Sequence, residues 1–203
     1  MIEIPITPVL DVGGWELGKA LKLLLNGNAV IIEWLTSPLT YSADAAFRAE
    51  FLSLAQRHAD RRLVGKHYYY LASRQAERFL GSETIALKKI FYALRPLVAL
   101  RWLDRHPDQT VAPMHFPTLC EEADLDDALS GEIGDLRARK AQSRELGEGR
   151  LPVEIGSFIR AELENARHWA ETPSPRNRHD ARREADVFWR KWVDIAASHY
   201  PAA

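Results

Sequence analysis

A single cysteine, Cys120, stands in the whole chain of 203 residues. It excludes a disulfide framework and a cysteine-based zinc site within the chain, and it fits a reducing, cytoplasmic setting. Net charge is nearly absent as well. Lys plus Arg number 27 against 28 Asp plus Glu, which leaves −1. No global field therefore exists to grip a nucleic-acid backbone, so no extended nucleic-acid surface is expected and any such contact must be local. Apolar runs such as Ala29 to Ile32 are far too short to cross a bilayer, so no membrane partner is expected. The opening residues MIEIPITPVLDVGG lack a basic stretch followed by an apolar one, and no signal peptide is visible. The dinucleotide-binding, P-loop, nucleophile-elbow, HExxH and CxxC patterns are all missing. No second histidine lies at metal-ligand spacing from His67.

What is present is a chain able to bury a core, with 46% hydrophobic and 27% charged residues. Ile2, Ile4 and Ile6 alternate with Glu3 and Pro5, the period of a half-buried strand. Pro5 has no N–H to donate, which makes the strand an edge strand or an irregular one. Val9 to Val12 forms a second extended segment, closed by Gly13-Gly14. One strand or two make no stable sheet alone, so the N-terminal strand is expected to pair with a second chain or with the few other extended residues, or to be disordered. Beyond Gly14 the pattern is helical. Helices are expected over Trp15 to Leu25 and Ala29 to Leu35, then at 43–59, 61–80, 83–105, 124–146, 153–171 and 178–198. Gly27 is placed to stop the first helix, and Asn28 to cap the second. Pro107 to Pro117 reads as a linker. Glu121, Glu122, Asp124, Asp126 and Asp127 form an acidic cluster near a helix start. The fold class is mainly α, a helical domain with one or two N-terminal strands.

Within the 83–105 helix the core side is expected to use Ile90, Leu94, Leu97 and either Leu100 or Val98. Lys88, Tyr92 and Arg95 follow at i, i+4 and i+7, with Lys89 beside them. Two cations and a phenol on one face suit a phosphate group and a stacked ring. The same spacing also describes a solvated stripe on an ordinary amphipathic helix. His67, Leu71, Arg74 and Arg78 make a similar face on the 61–80 helix. Asn28, Glu33, Trp34, Ser37, Pro38 and Tyr41 form a polar and aromatic patch. Glu33 follows two isoleucines, and a carboxylate buried there needs a cationic partner. An intramolecular salt bridge and a functional role weigh equally at this point. Asp11, between Leu10 and Val12, is one carboxylate and not a metal site by itself.

Two runs carry a resemblance. The first is Asp11-Val-Gly-Gly-Trp15-Glu-Leu-Gly-Lys19, followed by Gly27-Asn28 and by Ile32-Glu33-Trp34-Leu35-x-Ser37-Pro38-x-x-Tyr41. The second is Leu87-Lys88-Lys89-x-x-Tyr92-Ala-Leu-Arg95-Pro96 with Arg101-Trp102. His67-Tyr68 with Ala72 accompanies them. Together they resemble nucleotidyltransferases of the DNA polymerase β superfamily, in the RNA-ligase-associated, RlaP-like branch, over roughly residues 1–165. That superfamily places a Gly-Ser on a helix turn, then Asp-x-Asp on a strand, then a third Asp on a later strand. Asp11 matches the third carboxylate, while the Gly-Ser and Asp-x-Asp have no counterpart ahead of it.

The resemblance implies residues 1–36 as a remnant of an α+β catalytic domain and 37–203 as a helical domain. It implies metal-dependent transfer of a nucleoside monophosphate from an NTP to an unknown acceptor, with Mg²⁺ as the metal. Asp11 would be catalytic and metal-binding, and Lys88, Lys89, Tyr92, Arg95, Asn28 and Glu33 would bind substrate. With two of three carboxylates absent, the chain is expected to be a truncated form that is inactive alone, or half of a split enzyme whose second chain completes the sheet. The alternative is a non-catalytic binding or regulatory protein that pairs with another chain.

Overall fold

The structure, a computed structural model, describes residues 2–7, 10–78, 80–142, 147–171, 173 and 178–199. Strand β1 (Ile2–Thr7) pairs antiparallel with β2 (Leu10–Gly14). Ile2 lies opposite Gly14 and Pro5 opposite Asp11, and the register slips between Pro5 and Thr7. A residue without an N–H breaks the ladder at that point. β1 thus uses the few other extended residues, and the two strands form a sheet of their own.

Helix α1 (Leu17–Leu25) buries Ala20, Leu21 and Leu24. Gly27 ends the turn that follows at a φ of +73°, and a Cβ there would collide with Leu63. Only glycine meets both demands. Asn28 then caps α2 (Ala29–Leu35), its side-chain oxygen accepting from the N–H of Val30 at 3.0 Å. Asp44 and Asp60 cap α3 (Ala45–His58) and α4 (Arg61–Ala76) in the same way.

The main departure from the sequence reading lies at 83–89. Instead of a helix, Ile85–Ala86 forms a short strand, β3, paired with β4 (Glu148–Gly149), and Leu87–Lys89 forms a single 3-10 turn. The α-helix α5 begins at Ile90 and runs to Arg105. Thr84 and Ile85 are β-branched, and a distant strand pairs with Ile85 and Ala86. Lys88 and Lys89 are therefore off the α-helix that carries Tyr92 and Arg95, and the i, i+4, i+7 stripe starts only at Tyr92. The expected core side holds: Ile90, Leu94, Leu97, Val98 and Leu100 are all fully buried.

Helix α6 (Phe116–Glu122) takes up the end of the expected linker, with Pro117 in its first turn, where a missing N–H costs nothing. The acidic cluster is consequently divided. Glu122 accepts from Trp102 Nε1 at 2.7 Å, Asp124 pairs with Arg105 at 2.9 Å, and Asp126 caps α7 (Asp127–Gln142) through the N–H of Leu129. The expected 153–171 helix is two, α8 (Val153–Asn165) and α9 (Arg167–Glu171). Helix α10 (His179–His199) closes the molecule against α1 and α3, where Phe188 and Trp192 join Phe47 and Phe51 in an aromatic cluster. The most extensive packing is between α4 and α5. The architecture is mainly α, and no helix among the described residues is long and apolar enough to cross a membrane.

Candidate functional site

Glu33 sits on α2 directly after two buried isoleucines, so its carboxylate is drawn into the interior with them. It finds two donors there. The hydroxyl of Tyr68, on α4, donates to it at 3.0 Å, and Nε of Arg95, on α5, donates at 3.0 Å. The side chains of Arg95 and Glu33 are only 19% and 13% exposed. Arg95 also donates from Nη1 to the Met114 carbonyl at 2.9 Å and from Nη2 to the Pro113 carbonyl at 3.2 Å. Burial, with the Glu33 charge added to it, pushes the Tyr68 phenol well above its usual range, and Arg95 only partly offsets this. One carboxylate thus ties α2, α4 and α5 together, and Arg95 extends the tie to the 113–114 loop.

That loop forms one wall of a cleft of about 900 Å³. Ser37, Pro38 and Leu39 enter it after α2; Phe91, Tyr92 and Arg95 come from α5; Arg137 and Lys140 come from α7. His115, Phe116 and Pro117 complete the loop side. Phe91 and Phe116 meet edge to face with centroids 6.0 Å apart, and the Lys140 ammonium lies over Phe91 at 5.2 Å. Tyr92 is 58% exposed. Among the described residues no aspartate or glutamate lines the cleft. The cationic field reaches Cys120 on α6: burial pushes its thiol up to about 11, while Arg137 and Arg95 pull the other way. An apolar floor with cations and an open phenol at its rim suits an anion that carries a flat ring.

The structure brings Tyr92 and Arg95 to one cleft. Lys88 and Lys89, on the 3-10 turn, are not among its lining residues. Asn28 is engaged as the α2 cap and Glu33 as the core of the Arg95 bridge. Trp34 stacks on Trp15 at 4.2 Å, and Arg48 holds the exit turn through the carbonyls of Leu35 and Ser37. The backbone of Asp11 lies in β2, and its side chain falls outside the described residues. Among the described residues no group of three His, Cys, Asp or Glu could hold a metal ion, so the Mg²⁺ that the resemblance implies finds no ligand set there. Arg137 and Lys140 escape the sequence reading. The signal was the short basic run Arg137-Ala-Arg-Lys140, which looks like any solvated helix face until α5 and α6 are seen beside it.

Residues 1–191 match RlaP, described as the RNA repair pathway DNA polymerase beta family. A curated protein of Bacillus subtilis (strain 168), described as "Uncharacterized protein YcgL", is 36% identical over 166 residues, covering 81% of this chain and 62% of the relative. The chain thus spans about three fifths of that relative's length. No solved structure matches. The match over nearly the whole chain, supported by this relative, places the protein in the RlaP family, and the chain belongs to it.

Proposed function

We propose that this nucleotidyltransferase-like protein serves the transfer of a nucleoside monophosphate from an NTP to an acceptor, and that its helical body supplies the binding side of that reaction. The observation that carries the reading is the cleft in which Tyr92, Arg95, Arg137 and Lys140 converge within a chain of this family. A nucleotide presents an aromatic base and anionic phosphates, the two chemistries this wall offers. The family's link to RNA repair makes an RNA end the acceptor to try first.

Asp11 is the candidate catalytic carboxylate in this reading and a candidate ligand for Mg²⁺. One carboxylate does not assemble a nucleotidyl-transfer centre, so this polypeptide alone is expected to transfer little. A second protein chain beside β1 and β2 could supply the missing strands and carboxylates. Lys88, Lys89, Asn28 and Glu33 support the site from around it rather than from within the cleft.

The test is transfer of label from α-³²P-labelled NTPs to a short RNA. It compares this chain alone with the chain joined to the Gly-Ser and Asp-x-Asp segment of a polymerase β-type transferase. Label should appear only in the joined protein and vanish on Asp11→Asn. Robust transfer by this chain alone that survives Asp11→Asn overturns the reading. A folded but inert joined protein returns the chain to the non-catalytic alternative.

A further inference from the structure

We infer that the loop joining α2 to α3, residues 36–44, is a lid, and that Leu39 and Tyr41 swing from solvent onto the cleft-facing side of α7 to close the cleft. The inference concerns how the cleft opens and shuts, and it holds whatever ligand fills the space.

The tip of the loop is the first support. Leu39 is 71% exposed and Tyr41 98% exposed, so the Tyr41 ring touches almost nothing. Leu39 nevertheless lines the same cleft as Phe91, Met114 and Phe116. A large apolar side chain held in water beside an apolar wall gains by moving onto that wall. The second support is how the loop is held. Arg48, on α3, donates to the carbonyls of Leu35 and Ser37 at 3.1 and 2.7 Å and to the Thr40 hydroxyl at 2.9 Å. At the other end Asp44 caps α3 through the N–H of Phe47 at 2.8 Å. Between these anchors Tyr41, Ser42 and Ala43 make no hydrogen bond among the described residues. A segment that so few bonds hold opens and moves at low cost. Fixed ends with a free middle are how a lid is built.

The surface that receives the tip is the third support. Gly134, Ala138 and Ala141 follow at i, i+4 and i+7 on α7 and all line the cleft. A Cβ on Gly134 would meet nothing within 4 Å. Longer side chains at these positions would occupy the space themselves, and the small ones leave it for Leu39 and Tyr41. Closure replaces water over α7 with two apolar groups and shuts the cleft contents off from solvent. The closed form is the less populated one in the free chain, and a ligand that contacts both the loop and α7 shifts the balance toward it.

The experiment traps the closed form in the free chain. Cys120→Ser removes the chain's own thiol. Tyr41→Cys is then paired in turn with Gly134→Cys, Ala138→Cys and Ala141→Cys. A fourth pair, Tyr41→Cys with Arg160→Cys on the exposed face of α8, is the control, since Arg160 does not line the cleft. A disulfide needs the two Cα atoms within about 7 Å, so it reports the swing itself. Each protein is checked for folding by far-UV circular dichroism, and the three positions on α7 guard against one that fails to fold. Under a mild oxidant at least one α7 pair should form an intramolecular disulfide about tenfold faster than the control, because closure raises the local thiol concentration. The readout is free-thiol loss together with mobility on non-reducing gels. Folded α7 pairs that all oxidise no faster than the control overturn the lid. A disulfide between two molecules in place of one within the chain also overturns it, and assigns the exposed tip to a second copy. No nucleotide is present, so failure of the transfer assay does not touch this result.

Discussion

Arg95 and Glu33 stand 62 residues apart in the chain and meet at 3.0 Å in a setting that is mostly dry. Such a pair adds little over a well-packed apolar pair, but losing one partner strands the other. Arg95→Ala should therefore cost about 2–4 kcal/mol in denaturant unfolding, since it leaves the Glu33 carboxylate and two carbonyls without their donor. Tyr68→Phe should cost about 1 kcal/mol at neutral pH, the net worth of one hydrogen bond. It should also change the alkaline limb. The Tyr68 phenol is raised above its ordinary value of 10.0 in the folded state. The unfolded chain gives up that proton first, so its contribution to stability is present below pH 10 and lost above it. The variant should lose that part of the alkaline destabilisation in unfolding curves taken from neutral to high pH. His67 acts on the acid side. Burial first, then Arg74, lowers it below 6.5, so the unfolded state takes the proton first and stability falls as pH drops below that value. His67→Gln should flatten this limb.

Helix ends, more than helix cores, separate the expected elements from the observed ones. The apolar spacing of 90–103 was legible, and those side chains are buried as it predicts. Of the seven residues before it, Ile85 and Ala86 are claimed by β4, a segment some 60 residues later, and the rest do not join the helix. No local signal announces that pairing. The start of helix α6 was hidden because Pro107, Pro113 and Pro117 together read as linker, although Pro117 suits a first turn. Close approaches between helices are likewise invisible in the sequence. A Cβ on Gly65 of α4 would fall inside the ring of Trp169 on α9. Gly65→Ala should therefore force the two helices apart and cost about 1–3 kcal/mol, measured as a lower thermal midpoint with far-UV circular dichroism retained.

One hydrophobic cluster runs from Ala20 through α2, α4, α5 and α8 to Trp192, so helices on either side of residue 36 share their packing partners. Urea unfolding followed by tryptophan fluorescence and by circular dichroism should give coincident single transitions. Two separated transitions would instead assign the segment up to residue 36 its own stability. At this scale the division between sequence and fold is sharp. The sequence determined what is local: helical spacing, the Asn28 cap, the Gly27 stop, the irregular strand at Pro5, and the residue runs of the family. Each depends on neighbours within a turn or a strand pair. Only the tertiary structure decided that Glu33 takes Arg95, that Lys88 and Lys89 lie on a separate 3-10 turn outside the cleft's lining, and that Arg137 and Lys140 line one cleft with Tyr92. Periodicity states which side of a helix avoids water but not which other helix covers it. The cleft draws on four stretches of chain that touch only after the core between them has formed.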